Sequence, residues 1–593
     1  MKFRFFKMRF RRRINKRRQQ VEDLGQQAER SVDKLIFKRF SRIAKVRRFV
    51  IGWVGLIVLL IGGILLQGFN LANYYQSVRP VDGGIYREGV LGTFSTANPL
   101  YATSQVDSTV SKLVFSGLLH YNVRNQLVGD LASSYELDAR GTTYTVHLKP
   151  NLSWQDGQAL TSKDVLFTYT SIQNPDAQSP LNGSWQGITV AAPDPLTVTF
   201  KLPSPLASFP NNLVNGIVPE HLLKNVAAVD LRTSDFNTVK PVGSGPFAWN
   251  AIEVQGNDPQ TAQEQLAFVP FDHYVGGRPR LDQFVMTAYA NQEKLISDFE
   301  KGQLNGLAGL NDVPEALAND SDVQIHNAML TAGVYSFFKT SSPILSSQKV
   351  RQALVQAAEP QAIISKISYP TRAIRSPLLK EQVAYDPSIL QLKPNLPVAK
   401  SLLDQDGWVV GKDGIRTKDG KPLTFTMVAA DSPEYTLVTS QLKQQWRRAG
   451  VDLKVRLLDS QDFQNALAYH DYDAVLYGIS LGTDPDVFVY WDSTQADIRS
   501  ANRLNLSEYK SAVADEALES GRTRQDAGLR TVKYRAFLQA WQQDAPALGL
   551  YQPRVLYLTR GNVAGLTDSV LNTGTDRYNN VQNWQIRQAK VAN

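Results

Sequence analysis

The side chains that most often carry chemistry are sparse in this sequence and poorly spaced for it. There is no cysteine, which removes disulfides, thiolate metal ligation and a cysteine nucleophile. The histidines are His120, His147, His221, His273, His326 and His470, and no two of them share an H-x-x-x-H spacing. No metal is expected, and all of them read as structural. Neither a nucleophile elbow nor a Walker loop is expected. Gly243-Ser244-Gly245 runs into Pro246 instead of a helix start. Asp471 and Asp473 stand at strand spacing on one face, where solvated acids are ordinary. A hydrolase therefore has no named machinery, and the chain is expected to be no enzyme and to need no cofactor. Arg372 and Arg375 follow the segment ISYPT. A guanidinium fork suits a ligand carboxylate, and an exposed solvated arginine is the alternative.

The elements around these residues mix two periods. Tyr144, Val146 and Leu148 alternate with polar residues as a half-buried strand does, and Leu196, Val198, Phe200 and Leu202 repeat the pattern after a Pro193-Asp194-Pro195 turn. Between them, Asp156-Gly157 is a turn, and Thr161-Ser162-Lys163-Asp164 has the form of a capping box. Later, Tyr335–Phe338 predicts a buried strand, Val350–Ile367 a helix interrupted at Pro360, Leu423–Val428 a strand, Tyr435–Ala449 a helix ending at Gly450, and Val451–Leu457 a strand. This order predicts α/β layers.

Charge is divided unevenly along the 593 residues. Residues 1–48 hold 18 Lys and Arg against 4 acidic residues, while the other 545 hold 46 against 51. A basic tail precedes a mildly acidic body, so no nucleic-acid partner is expected. Val50–Phe69 then runs 20 residues without a charge. At about 1.5 Å per residue that spans roughly the hydrocarbon thickness of a bilayer. Basic residues on its N-terminal side keep that end in the cytoplasm and place the body outside. The expectation is an uncleaved signal anchor at 49–70, with cleavage as a signal peptide the competing fate. Residues 1–48 are expected to touch anionic lipid, with Val21, Leu24, Ala28, Val32, Leu35 and Ile36 on one face of an amphipathic helix. A spacer follows at 71–85.

From about residue 86 onward the sequence resembles the family 5 extracellular solute-binding proteins, which include dipeptide-, oligopeptide- and nickel-binding members. The most specific stretch is LASSYELDARGTTYTVHLKPNLSWQDGQALTSKDVLFTY at 131–169. PVGSGPF at 241–247, ISDFEKGQLN at 296–305, KVRQALVQAAEPQAII at 349–364, SLLDQDGW at 401–408, YDAVLYG at 472–478 and the DP at 484–485 follow in the family's order. The resemblance implies a two-lobed periplasmic-binding-protein-like (type II) α/β fold behind an N-terminal transmembrane helix. Lobe one would take 86–309 and the return segment 553–593, and lobe two 310–552.

The resemblance further implies capture of a peptide-like ligand in the interlobe cleft by hinge closure, and delivery to an ABC transporter permease. The alternative is a membrane-anchored peptide-sensing receptor not coupled to uptake. In family members the pocket draws on the loop after the first NP, here Asn98 to Gln105, which nominates Tyr101, Thr103 and Ser104. It also draws on the late DP segment. Many peptide-binding members place an acid shortly before the DP, and this chain has Ile479-Ser480-Leu481 there. Asp484 is the nearest substitute for pairing with a ligand amine. Tyr490 and Trp491 would either wall the cleft or belong to the lobe core.

Overall fold

The computed structural model describes residues 47–74, 76–256, 263–500 and 503–592. The amphipathic helix and lipid-facing basic block expected within residues 1–46 lie outside the described residues. The chain divides into two compact units, one up to Arg79 with the residues from Gln588 onward, the other Pro80–Arg587.

The first unit contains one 28-residue helix, Arg47–Tyr74. Its segment Arg48–Gly68 has mean hydropathy 2.8, and none of it is buried inside the protein. It is long and apolar enough to cross a membrane.

The second unit is built on two large mixed sheets. The first has seven strands in the spatial order Val323–Met329, Arg554–Arg560, Gly306–Ala308, Ile85–Leu91, Gln283–Tyr289, Gln263–Pro270 and Phe247–Gln255. The second has five, in the order Asp452–Leu458, Thr424–Ala430, Ala474–Ser480, Ala332–Phe338 and Ala547–Tyr551. A smaller antiparallel sheet, Ala132–Leu137, Thr143–Leu148, Thr197–Lys201 and Thr189–Asp194, packs into the core beneath the seven-stranded one.

Side-chain alternation explains how the five-stranded sheet is covered on both faces. Every residue of Ala332–Phe338 is buried. Val334 and Phe338 enter one hydrophobic cluster with Trp446, while Tyr335 and Phe337 enter another with Trp491 and Trp541. A strand with helices on both faces must be apolar on both, which is why this segment reads as a continuous hydrophobic run.

Local signals formed the elements they predicted. Thr161 and Asp164 make the reciprocal capping box at the start of the helix Ser162–Gln173. Pro360 splits the expected long helix into Gln348–Ala357 and Pro360–Ile364. Leu196, expected to begin a strand, sits exposed in the turn before Thr197.

The chain passes from one large sheet to the other at Leu330-Thr331 and back at Gln552-Pro553. These two crossings lie side by side: the Leu330 amide donates to the Pro553 carbonyl at 2.9 Å, and the Gln552 amide side chain donates to the Leu330 carbonyl at 3.2 Å. The first crossing falls later than the expected position 310. Val323–Met329 pairs antiparallel with Arg554–Arg560, which keeps it in the seven-stranded sheet.

Candidate functional site

Edges of both sheets converge on the crossings and leave a cavity of about 420 Å³ between them. The seven-stranded side contributes Leu310, Asn311, Asp312 and Arg554, and the five-stranded side contributes Lys366, Tyr369, Glu434 and Tyr435. Each wall is placed by a local feature. Gly309 has φ +97°, and a Cβ there would meet the Leu91 Cβ at 2.8 Å. Only glycine lets the chain leave Gly306–Ala308 so close to the neighbouring strand and deliver Leu310–Asp312 to the cavity. Ser432 caps the helix Pro433–Arg447 by accepting from the Tyr435 amide at 3.2 Å. That fixes Glu434 in the first turn, where the helix dipole favours a negative charge.

The polar groups here form one connected set. Glu434 Oε2 accepts from the Tyr369 hydroxyl at 2.8 Å, and Glu434 Oε1 accepts from the Tyr551 hydroxyl at 2.5 Å. Burial, followed by the Glu434 charge, pushes both phenols far above the ordinary tyrosine range, so they remain donors. The Arg554 guanidinium lies 3.9 Å from the Tyr369 ring centroid. It donates to the Asn311 carbonyl at 3.2 Å and to the Asn327 side chain, and stands 3.5 Å from Asp312. Burial pulls its pKa down, while Tyr369, Asp312 and Glu434 act in the opposite direction. Hydroxyl donors, an acid and a guanidinium thus share one interlobe space.

The two lobes also touch directly away from this cavity. Ser208 Oγ donates to Asp486 Oδ2 at 2.8 Å, the Ala207 amide to the Arg522 carbonyl at 2.9 Å, and Gln525 Nε2 to the Tyr144 hydroxyl at 3.3 Å. Arg522 itself reaches Asp486 at 3.1 Å and stacks over Phe488 at 4.1 Å. Burial pushes the Tyr144 hydroxyl up to about 12. A second cavity of about 320 Å³ lies within the first lobe, beside Ala102, Lys112, His120, Asp130 and Tyr274.

The residues nominated from sequence do not surround one space. Tyr101 is buried and turned toward Arg232, whose guanidinium is 5.9 Å from its ring. Thr103 is exposed, and Ser104 caps the helix Gln105–Val114. Asp484 is held in a guanidinium fork by Arg530, at 2.7 and 2.6 Å. Burial alone would lower the Arg530 pKa, yet Asp484 holds it above the ordinary value. Tyr490 donates to the Ser480 carbonyl at 2.7 Å, and burial pushes its phenol up to about 12. Trp491 lines no cavity among those described: it is fully buried, stacked on Phe337 at 5.6 Å and edge-on to Trp541 at 5.8 Å. Arg372 is exposed and paired with Glu381 at 2.7 Å, and Arg375 is half-buried near Tyr385.

One spacing runs against the expectation of no nucleophile elbow, since Gly478-Ile479-Ser480-Leu481-Gly482 fits G-x-S-x-G. Ser480 ends a strand paired with Ala332 and leads into a loop, not into the strand-to-helix turn that an elbow requires. Sequence reasoning missed Tyr369, Glu434, Tyr551 and Arg554. Tyr369 stood inside the quoted ISYPT segment, and Glu434 directly after a Ser-Pro helix start, but neither spacing reveals the cavity they share.

Comparison with known proteins gives this architecture its class. The model of the bacterial extracellular solute-binding proteins, family 5 Middle, matches residues 126–500, and the chain belongs to that family. It is a solute-binding protein and not an enzyme. Among its relatives is the oligopeptide-binding protein AppA of Bacillus subtilis, 26% identical over 490 residues, covering 80% of this chain and 87% of the relative. The fold is shared with NikZ from Campylobacter jejuni in complex with Ni(L-His), at TM-score 0.71 and 24% identity over 85% of this chain and 99% of that one. It is also shared with Bacillus subtilis AppA in complex with a nonapeptide, at TM-score 0.68 and 24% identity over 86% and 100%.

Proposed function

We propose that this protein captures a peptide-like ligand between its lobes and hands it to an ABC transporter permease. The observation that carries the reading is the cavity at the crossings, which draws its walls from both lobes. A ligand seated there contacts both halves at once and stabilises the arrangement in which they are closed. The mixed lining suits a peptide, whose backbone needs donors and acceptors and whose ends carry opposite charges. The relatives' names point to the same cargo.

In this reading Arg48–Gly68 is an uncleaved anchor and the basic residues before it stay cytoplasmic on anionic lipid. The first lobe runs from about residue 86 to the crossing at Leu330, the second from Thr331 to Gln552, and the return segment completes the first.

Native mass spectrometry of the full chain, extracted gently in detergent, tests the cargo. A ladder of co-purified peptide masses is the expected result. A single sugar or a metal chelate in the cleft refutes the assignment.

A further inference from the structure

We infer that Glu434 is the group that receives the ligand's ammonium. The inference rests on the peptide reading above and names the recognition element within it. Family members with an acid before the DP would answer this question there, but this chain has Ile479-Ser480-Leu481 at that place. The nearby carboxylates are already neutralised. Asp484 is forked by Arg530, and Asp486 is held by Arg522 at 3.1 Å and Ser208 at 2.8 Å. Asp312, in the interlobe cavity, stands against Arg554 at 3.5 Å.

Glu434 differs from all three in forming no ion pair among the described residues; the Arg554 charge acts on it only through space. It lines the interlobe cavity and is half-buried, and among the described residues its bonded partners are two hydroxyls, from Tyr369 and Tyr551. Neutral donors orient a carboxylate without cancelling its charge. Two oxygens offer about four lone-pair sites, so two hydroxyl bonds leave room for an incoming N–H group. Both phenols are held in their protonated form, so neither competes as an anion. A charge-assisted bond from an ammonium to this fixed acceptor is the strong kind.

The test uses the full chain in detergent and a library of short peptides built from Ala, Ser, Val, Leu, Phe and Asn. The amino terminus is then the only positive charge. The same library is supplied N-acetylated, and bound peptide is read by native mass spectrometry. Wild type is expected to retain the free-amine library about tenfold better or more, the usual size of a lost charged hydrogen bond. Glu434→Gln is expected to lose most of that preference. Should it fail to fold, Glu434→Asp, which keeps the charge on a shorter stem, is expected to weaken the preference several-fold. Equal retention of the two libraries by wild type, or an unchanged preference in a folded variant, overturns this inference and leaves the peptide reading standing. Retention of neither library overturns both.

Discussion

Arg577 and Glu88 meet in the interior of the first lobe, Nη2 to Oε1 at 2.7 Å, although 489 residues separate them. Glu88 is fully buried, and its oxygens also accept from the Tyr578 hydroxyl at 2.5 Å and the Tyr557 hydroxyl at 3.0 Å. The pair fastens the end of the chain to the strand that begins the seven-stranded sheet. Removing one partner strands a buried charge, which costs about 3–5 kcal/mol. Arg577→Ala is therefore expected to lower the urea midpoint sharply, and a loss below about 1 kcal/mol would show that the cluster is not ionic.

Trp491 contributes to stability through packing. Its ring fills the space between Phe337 and Trp541. Trp491→Ala should cost about 3–5 kcal/mol through lost burial and the cavity left behind. Thermal melting of the variant measures this directly. Wild-type melting with weakened peptide retention would return Trp491 to the cleft wall.

Ser208 and Asp486 form a direct hydrogen bond between the lobes. One hydrogen bond of this kind contributes about 0.5–1.5 kcal/mol, enough to move a two-state population several-fold. Asp486→Ala should enlarge the radius of gyration of the unliganded protein in small-angle scattering. An unchanged profile would mean that this contact does not govern closure.

His120 and Asp130 line the first-lobe cavity and make opposite contributions to stability as pH changes. Burial, then Lys112, pulls His120 down to about 4, and burial pushes Asp130 up to about 6. The folded state holds His120 neutral, so its cost is felt at low pH and disappears as pH rises through the unfolded value. It holds Asp130 protonated, so stability falls as pH rises from the unfolded value through about 6. Each change is worth about 3 kcal/mol, with opposite signs over nearly the same window. Asp130→Asn should therefore make stability rise with pH between about 4 and 6, and His120→Gln should make it fall. Chemical denaturation at a series of pH values measures both slopes. Parallel slopes for the two variants would contradict the assignment.

What could be read from the sequence follows from how local each signal is. The capping box of Thr161 and Asp164 and the split at Pro360 depend on neighbours a few residues away, and both formed as predicted. The run Tyr335–Phe338 announced a strand buried on both faces. Val323–Met329 was not legible, because a sheet-edge strand has mixed burial and no clean period. Asp484 shows the limit at a site. A carboxylate before proline looks the same whether it awaits a ligand amine or is held by an arginine 46 positions later. The set of Tyr369, Glu434, Tyr551 and Arg554 depends on two crossings adjacent in space and distant in sequence, which no local pattern encodes.

The absence of native cysteine makes the most direct test simple. Lys201→Cys and Lys533→Cys place one spin label on an exposed site of each lobe. Electron–electron resonance on the full chain, with and without its co-purified peptide, then reports the interlobe distance. Capture between the lobes predicts a broad distribution that collapses to one short distance when peptide binds. A distribution that does not change at saturating peptide would contradict it.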